Sequence, residues 1–252
     1  MKPIQINKPE NLYAPAKGEF KYFFPTPVFR GVFEHDYVRI RDDIDRLIEK
    51  VRERHGANRE ANYTTYFDPD LRQETNQLSW FKDFANCMKD TYVQFIRTQF
   101  NHDTSYLKRS DIHFFAWLNK YTNEHQHNVH DHTESLISGT FYLDGSPNRM
   151  PIHFLNPGHN VIFSHRPVNE TVDHQDGFKT MAGGSTETSF EFHAQEGDFL
   201  LWPSYLLHYV PRSVEPDPDY MRYSISFNLT HNKPLQDTEH GTELAYGFLD
   251  ND

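Results

Sequence analysis

The stretch VHDHTESLISGTFYL, residues 129–143, places two histidines, His130 and His132, directly before an apolar run of strand character. Side chains two residues apart on a β-strand point to the same side, so both imidazoles would face one metal ion. The chain holds 16 histidines in 252 residues, and at that frequency a His-x-His pair also arises by chance. A second pair, His125 and His127, is interpreted as such background. The interpretation of His130 and His132 as metal ligands therefore depends on the sequence around them.

Two amphipathic helices are predicted upstream of this stretch. Apolar residues recur every three or four positions from Asp36 to His55, and Gly56 follows where a helix stop is expected. A second stripe of the same period predicts a helix over residues 79–100. Both stripes are interpreted as core packing.

From residue 111 onward, short runs of β character alternate with turn-rich segments. We predict strands over residues 111–119, 135–143, 151–155, 160–164, 188–193, 198–202 and 221–229, and an edge strand over 22–33. This order favours a mainly β fold with flanking helices. We expect one domain over 1–252. It would comprise an N-terminal arm and helices to about residue 105, a β-barrel core over about 106–235 and a C-terminal tail over 236–252.

Composition restricts the partners and the compartment. The net charge of −11 argues against nucleic acid as a partner, since phosphate backbones are repelled by an acidic surface. The single cysteine, Cys87, excludes an internal disulfide. No signal-peptide core and no membrane-length apolar run occur, so we expect a cytoplasmic protein without a membrane partner. The sequence leaves open whether it is a monomer or a homodimer.

A third histidine, His208, lies in EGDFLLWPSYLLHYV, residues 196–210, after a predicted buried strand and a proline-containing turn. A close pair before one strand and a distant histidine after another is an arrangement by which a barrel gathers three ligands. Two histidines and one further ligand, with open positions left on the metal, are typical of non-haem Fe(II) oxygenases.

Arg222 opens the predicted strand RYSISFNL, and Ser224 points to the same side two residues later. A guanidinium and a hydroxyl in that arrangement offer a fork and a further hydrogen bond to a carboxylate inside a barrel. Beside a candidate iron site, this pair indicates an anchor for the far end of a dicarboxylate co-substrate.

Three motifs together resemble the 2-oxoglutarate- and Fe(II)-dependent oxygenases of phages and bacteria, which are distantly similar to prolyl 4-hydroxylases. These motifs are H-x-H-x-x-S-x-x-S-G-x-x-Y-L (130–143), PSYLLHYVP (203–211) and R-x-S-x-S-F-N (222–228). The resemblance covers the chain from about residue 20 to 230. It implies a double-stranded β-helix, or jelly roll of the cupin type, in a cytoplasmic enzyme of a bacterium or of a phage-infected host cell.

The resemblance also implies cofactors and site residues. The cofactors are Fe(II) and 2-oxoglutarate, with O2 as a further co-substrate. The implied metal ligands are His130, His132 and His208, which with Arg222 form the catalytic set. The implied 2-oxoglutarate contacts are Arg222, Ser224 and Tyr142.

The metal motif departs from the usual His-x-Asp or His-x-Glu, because the matching positions here are His130 and His132. If the motif is instead aligned on His132-Thr133-Glu134, it contains a His-x-Glu pair. Asp131 is a further candidate for the third ligand. His132 and His208 belong to the set in both alignments. The identity of the third ligand stays open at this stage.

The expected activity is a hydroxylase that couples 2-oxoglutarate decarboxylation, giving succinate, to C–H oxidation of an unidentified substrate. This substrate could be a small molecule or a prolyl or other protein side chain. Two alternatives remain: a cupin-type metal dioxygenase that does not use 2-oxoglutarate, and a non-catalytic jelly-roll binding module. Residues 156–197 are a candidate lid or substrate loop.

Overall fold

The computed structural model describes residues 17–23, 26–56, 63–100, 102–122, 125–144, 150–157, 170–173, 178–183, 186–212, 220–232, 235–237 and 243–244. Within these ranges the helices are α1 (Tyr37–His55), α2 (Pro69–Thr75) and α3 (Ser79–Phe100). The strands are β1 (Gly18–Phe23), β2 (Thr26–Val32), β3 (His102–Asp103), β4 (Ile112–Thr122), β5 (His127–His130), β6 (Ile137–Tyr142), β7 (Ile152–Leu155), β8 (Glu170–Asp173), β9 (Phe178–Gly183), β10 (Thr186–Phe192), β11 (Asp198–Pro203), β12 (His208–Val210), β13 (Met221–His231), β14 (Leu235–Asp237) and β15 (Glu243–Leu244).

The two predicted helices are confirmed. The side chain of Asp36 accepts a hydrogen bond from the Arg39 backbone N–H at 3.1 Å and so caps α1, while α3 covers the predicted residues 79–100. Helix α2 was not predicted, because seven residues are too few to reveal a periodicity. Its start is nevertheless encoded by Asp68, whose side chain accepts from the Leu71 N–H at 3.0 Å.

The strands form two six-stranded antiparallel sheets. The first has the order β1-β2-β11-β6-β13-β4 and the second the order β5-β12-β7-β10-β9-β8, while β15, β14 and β3 form a small third sheet. Four strands of the first sheet (β4, β6, β11 and β13) interleave along the chain with four of the second (β5, β7, β10 and β12). This connectivity is that of an eight-stranded jelly roll, and it confirms the predicted fold class.

Strand β13 shows how the first sheet separates two apolar regions. Its residues Ile225, Phe227 and Leu229 point toward the helices, and the Phe227 ring lies 5.6 Å from that of Phe84 on α3. The alternate residues, beginning with Arg222, point into the space between the two sheets. The helices therefore support the first sheet from outside, and its inner face is left for a site.

Three details differ from the sequence-based expectations. The edge strand expected over residues 22–33 is the hairpin of β1 and β2, and β2 lies inside the sheet because it also pairs with β11. Segment 156–197, a candidate loop, contributes the unpredicted strands β8 and β9 in addition to β10, which corresponds to the strand predicted over 188–193. The strand expected over 160–164 lies outside the described residues.

The described part of the segment assigned to a C-terminal tail forms β15 and most of β14. Among the helices that the structure describes, none has the length and apolar character needed to cross a membrane.

Candidate metal centre

Three histidines converge at one end of the space between the sheets. His130 ends β5 and His208 begins β12, and the two residues are direct partners in the antiparallel register. Their ring centroids lie 4.3 Å apart, and each lies 5.2 Å from the ring of His132. One ring nitrogen of each histidine lies within 4.8 Å of those of the other two. The three side chains could therefore hold one metal ion.

His132 reaches this point by a different route from the one expected. Strand β5 ends at His130, so His132 lies in the following loop and not on the same strand face. Its backbone N–H donates to the Ser204 carbonyl at 3.0 Å, and the Ser204 N–H donates to the Leu136 carbonyl at 3.0 Å. The turn after β11 therefore fixes this loop, and strand alternation does not position His132.

The protein fixes the orientation of two imidazoles. Nδ1 of His130 lies 2.7 Å from the Asn128 carbonyl oxygen, and Nδ1 of His208 lies 2.9 Å from the Leu206 carbonyl oxygen. Because a carbonyl oxygen only accepts, each Nδ1 carries the hydrogen. This leaves Nε2 of each ring as the nitrogen available to a metal, which is the usual arrangement of a metal-binding histidine.

Burial keeps two of these rings neutral. It lowers the pKa of His208 to about 3, and the positive charge that His130 can carry acts in the same direction. Burial likewise lowers the pKa of His132 to about 4, again with a smaller contribution from His130. At neutral pH both imidazoles are therefore in the deprotonated form that a metal requires.

The two carboxylates considered as alternative ligands are not members of this cluster. Asp131 and Glu134 are both exposed. Within the described residues, no other group of three histidine, cysteine or acidic side chains comes together in this way. The geometry thus brings together His130, His132 and His208.

A cavity extends from the histidines along the inner face of the first sheet. Its walls include Trp117, Tyr121, Trp202, Arg222 and Ser224. Arg222 is only 5% exposed and donates a hydrogen bond to the Met150 carbonyl oxygen at 2.8 Å. Burying a charge is costly unless a partner is supplied. Besides the Met150 carbonyl, the Asp144 carboxyl lies near enough for the charge of Arg222 to act on it: burial raises the pKa of Asp144, and the guanidinium lowers it by a smaller amount.

Tyr142 is not among the residues that line this cavity. Its ring lies against Arg222, with 5.3 Å between the guanidinium carbon and the ring centroid. The cavity is lined instead by Tyr121, whose hydroxyl donates to Asn119 Oδ1 at 2.8 Å. Tyr121 faces Arg222 across the β4–β13 ladder. This cross-strand register leaves no signal in a single sequence.

Two further residues of the cavity wall lie outside the predicted set of site residues. His127, interpreted there as background, lines the cavity, and burial lowers its pKa to about 4 with a smaller contribution from the charge of Arg222. Trp202 is 1% exposed, and its Nε1–H has no hydrogen-bond partner among the described residues. An unpaired buried donor on a cavity wall indicates an acceptor on a bound molecule.

A family model described as "Putative 2OG-Fe(II) oxygenase" matches residues 115–228, a range that contains the three histidines, Arg222 and Ser224. A prolyl-4-hydroxylase from Pseudomonas putida is 11% identical, with a TM-score of 0.45 over 82% of this chain and 88% of that one. Apo HygX from Streptomyces hygroscopicus is 13% identical, with a TM-score of 0.46 over 82% and 83% of the respective chains. No curated protein matches the chain. The family match confirms the resemblance inferred from the sequence, the oxidoreductase class, and Fe(II) and 2-oxoglutarate as cofactors.

Proposed function

We propose that this oxidoreductase of the 2-oxoglutarate/Fe(II) oxygenase type holds Fe(II) through His130, His132 and His208 and anchors 2-oxoglutarate on Arg222. The observation that carries the proposal is the presence of both elements on one cavity. Three converging imidazoles lie at one end, and a buried guanidinium lies along its wall. Neither element alone would distinguish this enzyme from other jelly-roll proteins.

The donor set fits iron. Imidazole nitrogen is a suitable ligand for Fe(II), and two of the three rings are already turned so that Nε2 is the free nitrogen. The proposed centre contains no carboxylate and so differs from the two-histidine, one-carboxylate arrangement. The ion would keep its full positive charge at this site. A chelating dianion such as 2-oxoglutarate offsets that charge.

The cavity wall fits a dicarboxylate. Arg222 can donate two parallel hydrogen bonds to a terminal carboxylate, and the hydroxyl of Ser224 lies two residues along on the same strand face. Tyr121 and the unpaired Nε1–H of Trp202 supply further polar groups on the same cavity. When bound, Fe(II) and 2-oxoglutarate supply the oxidation of a C–H bond by O2, with succinate and CO2 as products. The protein's part is to orient these groups and exclude water.

An exposed aromatic patch beside the cavity favours a substrate side chain carried by a polypeptide. The patch consists of Tyr66, Phe67 and Phe115, and the Tyr66 ring contacts that of Trp117 at 5.1 Å between centroids. Trp117 in turn lines the cavity, 6.1 Å from the His132 ring.

The rings of this patch meet nearly at right angles, and the Arg72 guanidinium covers the face of Phe115. The surface is therefore uneven, and the face of Phe115 under Arg72 is not open for stacking. Tyr, Phe, Trp and Arg are also the residues enriched where proteins bind one another. Both features support a prolyl or other protein side chain as substrate over a small planar molecule.

The direct test is formation of succinate from 2-oxoglutarate by the Fe(II)-loaded protein in the presence of O2. We expect turnover that needs all three components, and we expect His208→Ala to abolish it. His113→Ala is the matched control, because His113 is an exposed histidine on β4 outside the cavity. Oxidation that continues without 2-oxoglutarate would favour the cupin-type alternative. Absence of both metal and 2-oxoglutarate binding would overturn the proposal.

A further inference from the structure

Among the described residues, His132 alone of the three histidines is held by a chain of side-chain hydrogen bonds. Its Nδ1 lies 3.3 Å from Nδ2 of Asn228, and Oδ1 of Asn228 lies 2.9 Å from the Ser138 hydroxyl. The Ser138 hydroxyl is 2.8 Å from that of Ser204, which is 2.7 Å from that of Ser135. Four polar side chains therefore connect His132 to the interior of the first sheet.

This chain is built on rigid elements. Asn228 on β13 and Ser138 on β6 are direct partners in the antiparallel register. Ser204 immediately follows β11, and its backbone also holds the His132 loop. Ser138 and Ser204 are almost completely buried. Because His132 lies beyond the end of its strand, these contacts are what fix its ring relative to His130 and His208.

The chemistry of a metal ligand specifies which end of the amide must face His132. A neutral imidazole carries one hydrogen, so a ring that binds metal through Nε2 carries that hydrogen on Nδ1. An Nδ1–H needs an acceptor, and the Nδ2 group of Asn228 is a donor. Rotation of the amide by half a turn presents Oδ1 to Nδ1–H and directs Nδ2 toward the Ser138 oxygen. Hydroxyl groups both donate and accept, so the serine chain can reverse to match.

We infer that Asn228 is a positioning residue for the metal centre. With metal bound, its amide oxygen accepts from His132 Nδ1–H, and its amide nitrogen donates into the Ser138–Ser204–Ser135 chain. This inference rests on the proposed metal site. It assigns to Asn228 the part that the Asn128 and Leu206 carbonyl oxygens take for the other two rings. Such partners orient the ligand and raise its basicity.

The first test is the affinity of the metal-free protein for Zn(II), measured by competition with a chelator. We expect Asn228→Leu, which keeps the size but removes both polar ends, to weaken binding about 10- to 100-fold. We expect Asn228→Asp, which retains only acceptors, to bind at least as tightly as the wild type. The matched control is Asn119→Leu. Asn119 is a buried asparagine of the same sheet that bonds Thr64, Tyr121 and Ser226 but no histidine.

A wild-type level of zinc binding in Asn228→Leu would overturn the inference, and so would an equal loss in Asn228→Asp. The second test is imidazole nitrogen NMR of the zinc-loaded wild type, which stands even if a variant fails to fold. We expect the His132 hydrogen on Nδ1, and finding it on Nε2 would refute the inference. His208→Ala separates the two proposals. If His208→Ala binds Zn(II) as tightly as the wild type, the proposed metal site itself is wrong, whatever the role of Asn228.

Discussion

Replacing Arg222 by methionine should abolish most of the affinity for 2-oxoglutarate while leaving the jelly roll folded. Arg222 is 5% exposed, and methionine keeps its unbranched apolar stem but lacks the guanidinium, so the change enlarges the cavity that Arg222 borders and retains the packing around the stem. The lost interaction with a terminal carboxylate comprises two charge-assisted hydrogen bonds of about 1.5–3 kcal/mol each. The expected loss of about 3–6 kcal/mol corresponds to an affinity about 10²- to 10⁴-fold lower.

Urea unfolding of the metal-loaded protein, with and without 2-oxoglutarate, measures this loss. Ligand at 100 times the wild-type dissociation constant should raise the free energy of unfolding of the wild type by about 2.7 kcal/mol. If the affinity of the variant is 100-fold lower, the same concentration adds only about 0.4 kcal/mol. Nickel in place of iron avoids oxidation during the measurement.

Arg30→Met is the matched control for this substitution. Arg30 lies on β2 of the same sheet and forms a fork with the buried carboxylate of Asp198, at 3.1 Å from Nη2 to each oxygen. Its loss should destabilise the protein by about 3 kcal/mol, because a buried carboxylate is left without its partner. The increase in the free energy of unfolding on addition of 2-oxoglutarate should equal that of the wild type. If Arg222→Met shows the same increase on addition of 2-oxoglutarate as the wild type, Arg222 does not anchor the co-substrate.

Three further predictions concern single residues. Gly139→Ala should destabilise the protein by about 2 kcal/mol or more in urea, because the added Cβ would lie 2.4 Å from the Phe227 ring and 2.6 Å from the Leu200 carbonyl oxygen. A loss below about 0.5 kcal/mol would contradict the close approach of these strands. Trp202→Phe should weaken 2-oxoglutarate binding about 5- to 10-fold in calorimetry, since it removes the unpaired Nε1–H, and should also lower the stability of the ligand-free protein, because the smaller ring leaves a void where the buried indole packs. Asp68→Ala should cost about 1–3 kcal/mol at pH 7, as Asp68 caps α2 and accepts from Arg54. Burial raises the Asp68 pKa, but hydrogen bonds from Leu71, His55 and Arg54 outweigh it and lower the pKa overall. A carboxylate whose pKa is lower in the folded than in the unfolded state stabilises the fold at a pH above its unfolded-state pKa. This stabilisation is lost as the pH falls through the folded-state pKa, so the cost of Asp68→Ala should shrink below about pH 4.

Local patterns in the sequence were sufficient for the two long helices and for most core strands. The three- and four-residue spacing of apolar side chains predicted α1 and α3, because a helix packed on one side of a sheet buries a single stripe. Strands β5 and β12 were not predicted. They have four and three residues, respectively, too few for an alternating pattern to emerge.

Residue types and their positions were enough to select side chains that the structure brings together, and they were not enough to anticipate tertiary contacts. The histidines at 130, 132 and 208 were selected from their positions around apolar runs, and the structure brings them together. Tyr121 was missed because its place on the cavity wall follows from its cross-strand partner. The expected strand geometry at His132 was wrong, because a loop held by Ser204 replaces it. Such contacts between distant segments have no local signature.

The central claim is that one cavity binds Fe(II) through three histidines and 2-oxoglutarate through Arg222. The most direct measurement is the visible absorption of the metal-free protein, without oxygen, on addition of Fe(II) and 2-oxoglutarate. We predict a weak charge-transfer band that needs both additions, is lost in His208→Ala and Arg222→Met, and persists in His113→Ala and Arg30→Met. Iron binding without any band would exclude chelation of 2-oxoglutarate. A band that survives in His208→Ala would contradict the assignment of the metal ligands.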